Sequence, residues 1–264
     1  MGSASVQGRL WGMKAADFAA YLEQLCLPLH GAALDAAHIG PGTRLLDAGC
    51  GTGLVAVLAK FRGAEVSGLD ASAALLAVAR ERLPAADWRE GDLEAIPFAD
   101  GSFDAVTAIN SVFYAADMAA AMRELARVVR RGGRIVITAW GPPAQCEFLA
   151  AVMPVLGPLM PPPPPGAAPP HPGALAEPGA LAAVLRSAGL RVAEESQVAC
   201  PFIFASAEAS WRGNAAAGVN QAAIAHSGEA AVRAAYAVAE AKHTRPDGSI
   251  RYENTFLLAA GEKP

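Results

Sequence analysis

The sequence predicts an α/β fold built on a doubly wound parallel sheet with helices on both faces. Residues 43–141 alternate short apolar, β-branched runs with amphipathic stretches, the pattern of repeated strand-helix-strand units. A glycine-rich loop follows the first of these runs, where such sheets bind their ligands. The chain has 264 residues, of which 53% are hydrophobic, which is enough to bury a large core. Alanine supplies much of this apolar content and favours helices.

The alternating region is predicted to contain five strands and three helices. The strands are Thr43–Ala48, Ala64–Leu69, Ala86–Glu90, Phe103–Ile109 and Arg134–Ala139. Apolar residues recur at helical spacing between them, in Leu54–Phe61, Ala73–Leu83 and Met118–Arg131. We expect Arg131, Gly132 and Gly133 to close the third helix, because glycine commonly ends helices.

The flanking segments are predicted to cap and extend this sheet. Helices are expected at Ala15–Leu27, Ala32–His38, Pro178–Ala188, Glu208–Gly218 and Glu229–Lys242, and strands at Leu190–Val198 and Ile250–Ala260. Pro28 is expected to break the first pair of helices, and Pro154–Pro172 to form a polyproline-like loop that is neither helix nor inner strand. We therefore expect one domain over residues 1–264. Its parts are a helical cap (1–40), a ligand-binding core (41–141), a proline-rich loop (142–177) and the rest of the sheet (178–264) with a helical insertion at 205–245.

Charge and composition argue against several functional classes. The 21 Lys and Arg against 25 Asp and Glu give a net charge of -4, and helix ends explain the arginines between residues 123 and 134, so nucleic acid is not an expected partner. No run approaches the roughly 18 apolar residues of a membrane span, and the start of the chain lacks an apolar signal region, so we expect a cytoplasmic protein without a membrane partner. The four cysteines lack metal-ligand spacing and are expected to be reduced thiols, with no metal site.

The most informative segment is the buried run that leads through Asp47 into glycines at positions 49, 51 and 53. A dinucleotide fingerprint would need a third glycine where Leu54 stands. The three glycines let the backbone approach a ligand and adopt positive φ, while Asp47 suits a cationic ligand group better than a pyrophosphate.

Two further acids follow the next strands. Asp70 ends the second strand, where a ribose diol would lie, and Asp92 follows the third, where it could accept from an exocyclic amine. Any one of these acids could be an ordinary turn or helix-capping residue. Because three successive strand ends carry them beside a glycine loop, we expect them to line one crevice.

These motifs resemble those of a known family. The segments LLDAGCGTG, GLDAS, GDLEAIPFADGSFDAV and AMRELARVVRRGGRIVITAW are similar to successive motifs of class I S-adenosylmethionine-dependent methyltransferases, most of all the ubiquinone/menaquinone-biosynthesis type that acts on small molecules. The clear similarity covers about residues 41–140. The segment PGALAAVLRSAGLRVAEES is more weakly similar to a later helix and strand of the same family. The resemblance implies a Rossmann-like sheet of seven strands with the last one antiparallel, for which Ile250–Ala260 is the seventh candidate.

The resemblance also implies a cofactor, S-adenosylmethionine, and a set of binding residues. Asp47, Gly49 and Gly51 would hold the methionine moiety, Asp70 the ribose, and Asp92 with Leu93 the adenine. Asn110 would face cofactor and substrate, and Trp11 and Tyr21 would belong to the cap over the site. The full cofactor-binding set comprises Asp47, Ala48, Gly49, Cys50, Gly51, Asp70, Ala71, Asp92, Leu93, Asn110 and Trp11.

Methyl transfer from a sulfonium is an in-line displacement to which positioning contributes much, so a catalytic base is optional. Tyr114 and His226 are the candidate bases, whereas His243 is explained by its helix end and His30 looks unremarkable. The expected acceptor is an O, N or C atom of a small molecule. Two alternatives stay open: a cofactor-binding regulator without turnover, and an NAD-dependent oxidoreductase. The sequence leaves the acceptor and the oligomeric state undetermined.

Overall fold

A seven-stranded mixed sheet forms the centre of the computed structural model, which describes residues 3–162 and 175–264. The strands are β1 (Arg44–Ala48), β2 (Glu65–Asp70), β3 (Asp87–Glu90), β4 (Phe103–Ala108), β5 (Val129–Trp140), β6 (Arg191–Ala199), β7 (Phe202–Phe204), β8 (Ile250–Tyr252) and β9 (Thr255–Glu262). The order across the sheet is β3-β2-β1-β4-β5-β9-β6, while β7 and β8 pair in a separate ribbon. Neighbours from β3 to β5 are parallel, and β9 is antiparallel to both β5 and β6. The predicted fold class is therefore confirmed.

Helices cover both faces of the sheet and build a cap above it. They are α1 (Ala4–Gly12), α2 (Ala15–Asp17), α3 (Leu27–Ala36), α4 (Leu54–Phe61), α5 (Ala73–Arg82), α6 (Met118–Val128), α7 (Glu147–Leu156), α8 (Ala180–Ser187), α9 (Ala207–Ala215), α10 (Gly218–Ser227) and α11 (Glu229–Glu240). A π-helical turn (Phe18–Leu22) and a 3-10 turn (Glu23–Cys26) join α2 to α3. No described helix has both the length and the apolar content needed to cross a bilayer.

The two faces of the sheet bury alternate residues of the same strands. On one face Leu46 of β1 and Val106 of β4 pack with α6 and α8, and on the other Leu45 and Ala105 pack with α3, α4 and α5. All four side chains are buried, as expected for parallel strands covered on both sides. This sandwich fixes the strand ends from which the functional side chains project.

The predicted strand Ile250–Ala260 is wrong in one respect, because it divides into β8 and β9 at Glu253 and Asn254. Asn254 is buried; its side-chain Oδ1 accepts from the Phe148 amide at 3.1 Å, and its carbonyl accepts from the Cys200 amide at 2.7 Å. These bonds turn the chain out of the β7-β8 ribbon and into the main sheet. Every second residue from Ile250 to Phe256 is buried, so the period of two continues through the break and did not show it.

The predicted helix Met118–Arg131 ends earlier, at Val128, and Val129 already belongs to β5. Gly132 and Gly133 lie within this strand, beside a register shift between β4 and β5. A Cβ on Gly133 would lie 2.7 Å from the carbonyl oxygen of Asp104. These glycines therefore accommodate a strand irregularity rather than closing a helix.

Two prolines lie in helices where the sequence predicted a break or a loop. Pro28 occupies the first turn of α3, where its missing N–H is not needed, so it starts the helix instead of breaking one. Pro154 lies inside α7, which continues for two more residues. The predicted proline-rich loop thus contains a helix at its start, and residues 163–174 of that loop lie outside the described residues.

Candidate cofactor and acceptor site

A cavity of about 300 Å³ opens at the carboxyl ends of β1, β2 and β4, under the cap helices. One part of its lining comes from the glycine loop and the acids at the strand ends. Another part, the aromatic wall, consists of Trp140, Phe148, Leu149, Val152, Met153, Leu156 and Phe202. The cavity thus joins a polar strand-end region to an apolar region, as ligand sites of open α/β sheets do.

The loop after β1 takes its shape from glycines in the left-handed region. The φ angles of Gly49, Gly51 and Gly53 are 80°, 55° and 80°. A Cβ on Gly49 would lie 2.4 Å from the Cβ of Ser111, whose hydroxyl donates to the carbonyl of Ala48 at 2.8 Å. A side chain at position 49 is therefore excluded by both backbone conformation and space.

Asp47 is 2% exposed at the end of β1 and lines the cavity. Its Oδ1 accepts from the Thr107 hydroxyl at 2.8 Å, but its Oδ2 has no hydrogen-bond partner among the described residues. Burial raises the pKa of Asp47 to about 7, the Thr107 bond opposes this rise, and the nearby charge of Asp70 adds to it. A cationic group placed against Oδ2 would satisfy this oxygen and stabilise the ionised form.

Asp70 shapes the glycine loop and faces the cavity. Its Oδ2 accepts from the amide of Gly51 and its Oδ1 from the amide of Ser72, each at 2.8 Å. Burial raises the pKa of Asp70, and these amide bonds act in the opposite direction. Since each carboxylate oxygen can accept more than one bond, both remain able to receive the hydroxyls of a diol.

The third acid, Asp92, also borders the cavity, together with Leu93. Its Oδ1 accepts from the Glu94 amide at 3.0 Å, which is the turn-forming role considered for such an aspartate. This bond occupies one oxygen, so a ligand-binding role and a turn-forming role are compatible at this position.

Asn110 lies just beyond β4 with a φ of 50°, an uncommon conformation for a residue with a side chain. Thr138 fixes it, because the Asn110 amide donates to Thr138 Oγ1 at 3.0 Å and that hydroxyl donates to Asn110 Oδ1 at 3.1 Å. The predicted cofactor residues that line the cavity are Asp47, Gly49, Cys50, Gly51, Asp70, Ala71, Asp92, Leu93, Asn110 and Trp11. Ala48 does not line it; this residue is fully buried and contributes its carbonyl to Ser111.

The two predicted bases lie in different places. Tyr114 lines the cavity beside Trp11, with ring centroids 5.6 Å apart. Burial raises the pKa of Tyr114 above its ordinary value, so this phenol stays neutral and is better suited to donate a hydrogen bond than to remove a proton. His226 is exposed in the last turn of α10 and does not line the cavity, so the structure does not bring it to this site.

Both terminal parts of the chain contribute to the roof of the cavity. Glu23 is 7% exposed, pairs with Arg82 at 2.5 Å and accepts from the hydroxyl of Thr52 in the glycine loop. Arg212 of α9 pairs with Asp17 at 2.5 Å and donates to the Tyr21 hydroxyl at 2.8 Å. The cap is thereby joined both to the glycine loop and to the C-terminal helices.

Sequence reasoning missed several cavity residues on the cap helices. His30 of α3 is 8% exposed, lines the cavity, and has a pKa lowered to about 4 by burial. Its Nδ1 has no hydrogen-bond partner in the described part of the chain. Asn214, Asn220 and Tyr236 of α9, α10 and α11 also line the cavity. No spacing in the sequence marks these residues, since they meet only through tertiary packing.

Trp140 belongs to the aromatic wall, where it stacks on Phe148 with centroids 5.8 Å apart, whereas Trp211 is buried away from the cavity.

All four cysteines are free thiols. Over residues 3–162 and 175–264, no group of three or more His, Cys, Asp or Glu side chains has the arrangement of a metal site.

Parts of the chain are similar in sequence to known proteins. Residues 46–137 match the family described as Methyltransferase domain. An uncharacterized protein of Mycobacterium tuberculosis is 36% identical over 168 residues, which cover 62% of this chain and 60% of that protein. A malonyl-[acyl-carrier protein] O-methyltransferase of Serratia marcescens is 41% identical over 98 residues, 37% of this chain and 38% of that enzyme. The chain thus spans about 60% or less of the length of these curated relatives.

Solved structures show the same fold at low sequence identity. The [4+2]-cyclase SpnF has a TM-score of 0.64 at 21% identity, with 98% of this chain and 97% of that chain covered. A geranyl diphosphate C-methyltransferase from Streptomyces coelicolor A3(2) has a TM-score of 0.52 at 19% identity, with 89% and 78% covered. These matches do not single out the ubiquinone/menaquinone type. Residues 46–137 thus match a methyltransferase domain, and the seven-stranded sheet that contains them has the Rossmann-like fold of class I methyltransferases.

Proposed function

We propose that this chain binds S-adenosylmethionine and transfers its methyl group to a small-molecule acceptor that lies against the aromatic wall. The observation that carries the proposal is the unpartnered, buried Oδ2 of Asp47 in the cavity that also contains Asp70 and the glycine loop. A buried carboxylate oxygen without a partner is costly in a folded protein, and a cationic ligand group would compensate for that cost.

The residues present fit this cofactor. Asp47 would accept from the ammonium of the methionine moiety, and Gly49 and Gly51 leave room for it. Asp70 would receive the two ribose hydroxyls while its amide bonds hold it in place. Asp92 and Leu93 would border the adenine. The aminoacyl, ribose and base portions thus each have a group of suitable chemistry at the end of β1, β2 or β3.

The bound cofactor supplies a methyl group activated by the sulfonium. The chain's own residues then have to exclude water and to hold the acceptor atom in line with the methyl carbon and the sulfur. The aromatic wall and the Trp11–Tyr114 contact exclude water, and Tyr114 can donate a hydrogen bond to the acceptor. Positioning of this kind lowers barriers by up to roughly 7–11 kcal/mol in favourable cases, so a base is not required for every acceptor.

The names of the relatives leave the acceptor atom open, since one is an O-methyltransferase and another a C-methyltransferase. We assign Tyr114 the role of a hydrogen-bond donor to the acceptor rather than that of a base. His226 would need a rearrangement of α10 to reach the acceptor, so we do not assign it a role.

Titration calorimetry with S-adenosylhomocysteine tests the binding step. We expect heat of binding for the unaltered protein and a loss of roughly 1–3 kcal/mol in affinity for Asp70→Ala, because two hydrogen bonds to the ribose are removed. Asp87→Ala is the matched control, since Asp87 is an exposed β3 residue paired with Arg89 outside the cavity. Absence of heat at about millimolar ligand would reject the proposal, and equal affinity of Asp70→Ala and the control would remove Asp70 from the site.

Turnover distinguishes the alternatives. Incubation with methyl-labelled cofactor and a metabolite extract should move label into small molecules. Tight cofactor binding without any transfer would favour the regulator that has lost turnover. A thermal shift with NAD and none with S-adenosylhomocysteine would favour the oxidoreductase.

A further inference from the structure

The charged groups that line the cavity all have the same sign. Its charged lining consists of four carboxylates, those of Glu23, Asp47, Asp70 and Asp92, and no described lining residue is a lysine or arginine. The sequence between residues 163 and 174 contains no lysine or arginine either. An anionic group inside this cavity would therefore lose its hydration without meeting a cationic side chain of the described lining.

Each of these carboxylates already has a partner or a proposed role in cofactor binding. Glu23 pairs with Arg82, and Asp47, Asp70 and Asp92 lie at the strand ends where the proposed cofactor binds. The remaining lining, made of the aromatic wall and cap residues, carries no formal charge at neutral pH, because burial lowers the pKa of His30 to about 4. The space beyond the proposed cofactor position is thus uncharged and mostly apolar.

Two buried polar atoms interrupt this apolar lining. Asn220 is 2% exposed, and its Nδ2 donates to the Asn214 carbonyl at 2.6 Å and to the Tyr236 hydroxyl at 2.8 Å. Since a carbonyl can only accept, these bonds fix the orientation of the amide and leave Oδ1 as the free end. Within the described residues, neither this Oδ1 nor Nδ1 of His30 has a hydrogen-bond partner. Both residues line the cavity, so both atoms are candidates to meet a ligand.

Building on the proposed function, we infer that the acceptor is an uncharged, largely apolar molecule with at least one hydroxyl or N–H group, which Asn220 and His30 recognise by hydrogen bonds. Asn220 Oδ1 requires a donor from the ligand. His30 can accept or donate through its imidazole, depending on the tautomer. Carboxylates and phosphorylated compounds are not expected as acceptors, because the described lining offers no lysine or arginine to pair with them and the sulfonium of the cofactor is the only cation they would meet.

Three probes of one shape test the charge of the acceptor: naphthol, naphthoate and naphthylmethylammonium, each substituted at the same carbon. Binding is measured by ligand-observed NMR on protein saturated with S-adenosylhomocysteine at pH 7.5. We expect naphthol to bind at least about tenfold more tightly than either charged probe, because a buried unpaired charge costs more than a satisfied hydroxyl. Equal or tighter binding of naphthoate or of the ammonium, or no binding of naphthol up to its solubility, overturns the inference.

Variants test the two polar residues. His30→Leu should weaken naphthol binding about three- to tenfold and at the same time raise the melting temperature, since an unpartnered buried nitrogen is removed. A purely structural histidine would not give this opposite pair of effects. Asn220→Leu should also weaken naphthol binding, whereas Gln221→Leu, the replacement of a buried amide outside the cavity lining, should not. Unchanged naphthol affinity in both cavity variants overturns the recognition by these residues.

Weaker naphthol binding in these variants would also result from loss of folding. A gain-of-function variant distinguishes the two causes. Met153 lies in the aromatic wall and is half-buried, so Met153→Arg places a cation of similar length in the cavity. We expect it to bind naphthoate more tightly than naphthol, reversing the preference, and continued preference for naphthol contradicts the electrostatic argument. Heat of S-adenosylhomocysteine binding is recorded for every variant. Its absence in the unaltered protein would reject the proposed function itself, whereas normal cofactor heat with the wrong probe preference rejects only the present inference.

Discussion

Replacing Asp47 with asparagine is expected to stabilise the unliganded protein at alkaline pH while weakening its affinity for the cofactor. The pKa of Asp47 is about 7 in the folded protein against an ordinary value of 3.8. The folded state therefore holds the proton more tightly than the unfolded state, and the contribution to stability present at low pH is lost as pH rises from about 4 to about 7. At about 1.4 kcal/mol per pKa unit, the loss between pH 5 and pH 8 is about 2–3 kcal/mol.

Asparagine keeps the oxygen that accepts from Thr107 but cannot ionise. The variant should therefore lack this pH dependence. Its melting temperature minus that of the unaltered protein should be about 5–10 °C larger at pH 8 than at pH 5, using about 2–4 °C per kcal/mol. Melting curves of both proteins from pH 5 to pH 8 measure the difference, in which contributions from all other groups cancel. A difference that stays constant over this range would refute the reasoning. In calorimetry the variant should bind S-adenosylhomocysteine about tenfold or more weakly, because a charged hydrogen bond is lost, while exposed Asp87→Asn should bind normally.

The remaining predictions concern His30, the cap and the glycine loop. Because burial lowers the pKa of His30 to about 4, the protein should lose up to about 3 kcal/mol of stability as pH falls from 6.5 to 4, and His30→Leu should abolish this loss in urea titrations. Glu23→Gln removes the charged partner of Arg82, a side chain that is 28% exposed, and should cost about 1–3 kcal/mol, against less than about 1 kcal/mol for the exposed pair lost in Glu208→Gln, by chemical denaturation. Gly49→Ala should be more destabilising than Gly179→Ala, because both glycines have a φ near 80° but only the first would meet a neighbour, at 2.4 Å; equal losses would assign the whole effect to backbone conformation.

The strand-end part of the site could be predicted because simple geometry governs it. Parallel strands bring their carboxyl ends to one edge of the sheet, so Asp47, Asp70 and Asp92 meet wherever the strands are assigned correctly. Each acid also lies at or just after the end of a strand, and the hydrophobic pattern of the sequence predicts these strands well.

The apolar part of the cavity could not be predicted in this way. His30, Asn220 and Phe148 come from α3, α10 and α7, whose sequences contain nothing that aligns them on a common point. Helix α7 was missed because Pro154 suggested a loop, although a single proline removes only one hydrogen bond and packing of the helix outweighs that loss. The same competition between local signal and packing divided Ile250–Ala260 into two strands.

The position of β9 has a consequence for the biosynthesis of the protein. This strand follows every other described strand along the chain, yet it lies inside the sheet, between β5 and β6. While a ribosome is still translating residues 255–262, the nascent chain can pair β1 to β5 but must leave one edge of β5 open and β6 unattached. Completion of the sheet is thus delayed until this segment has left the exit tunnel, and a chain truncated before residue 255 would expose an unpaired edge prone to aggregation.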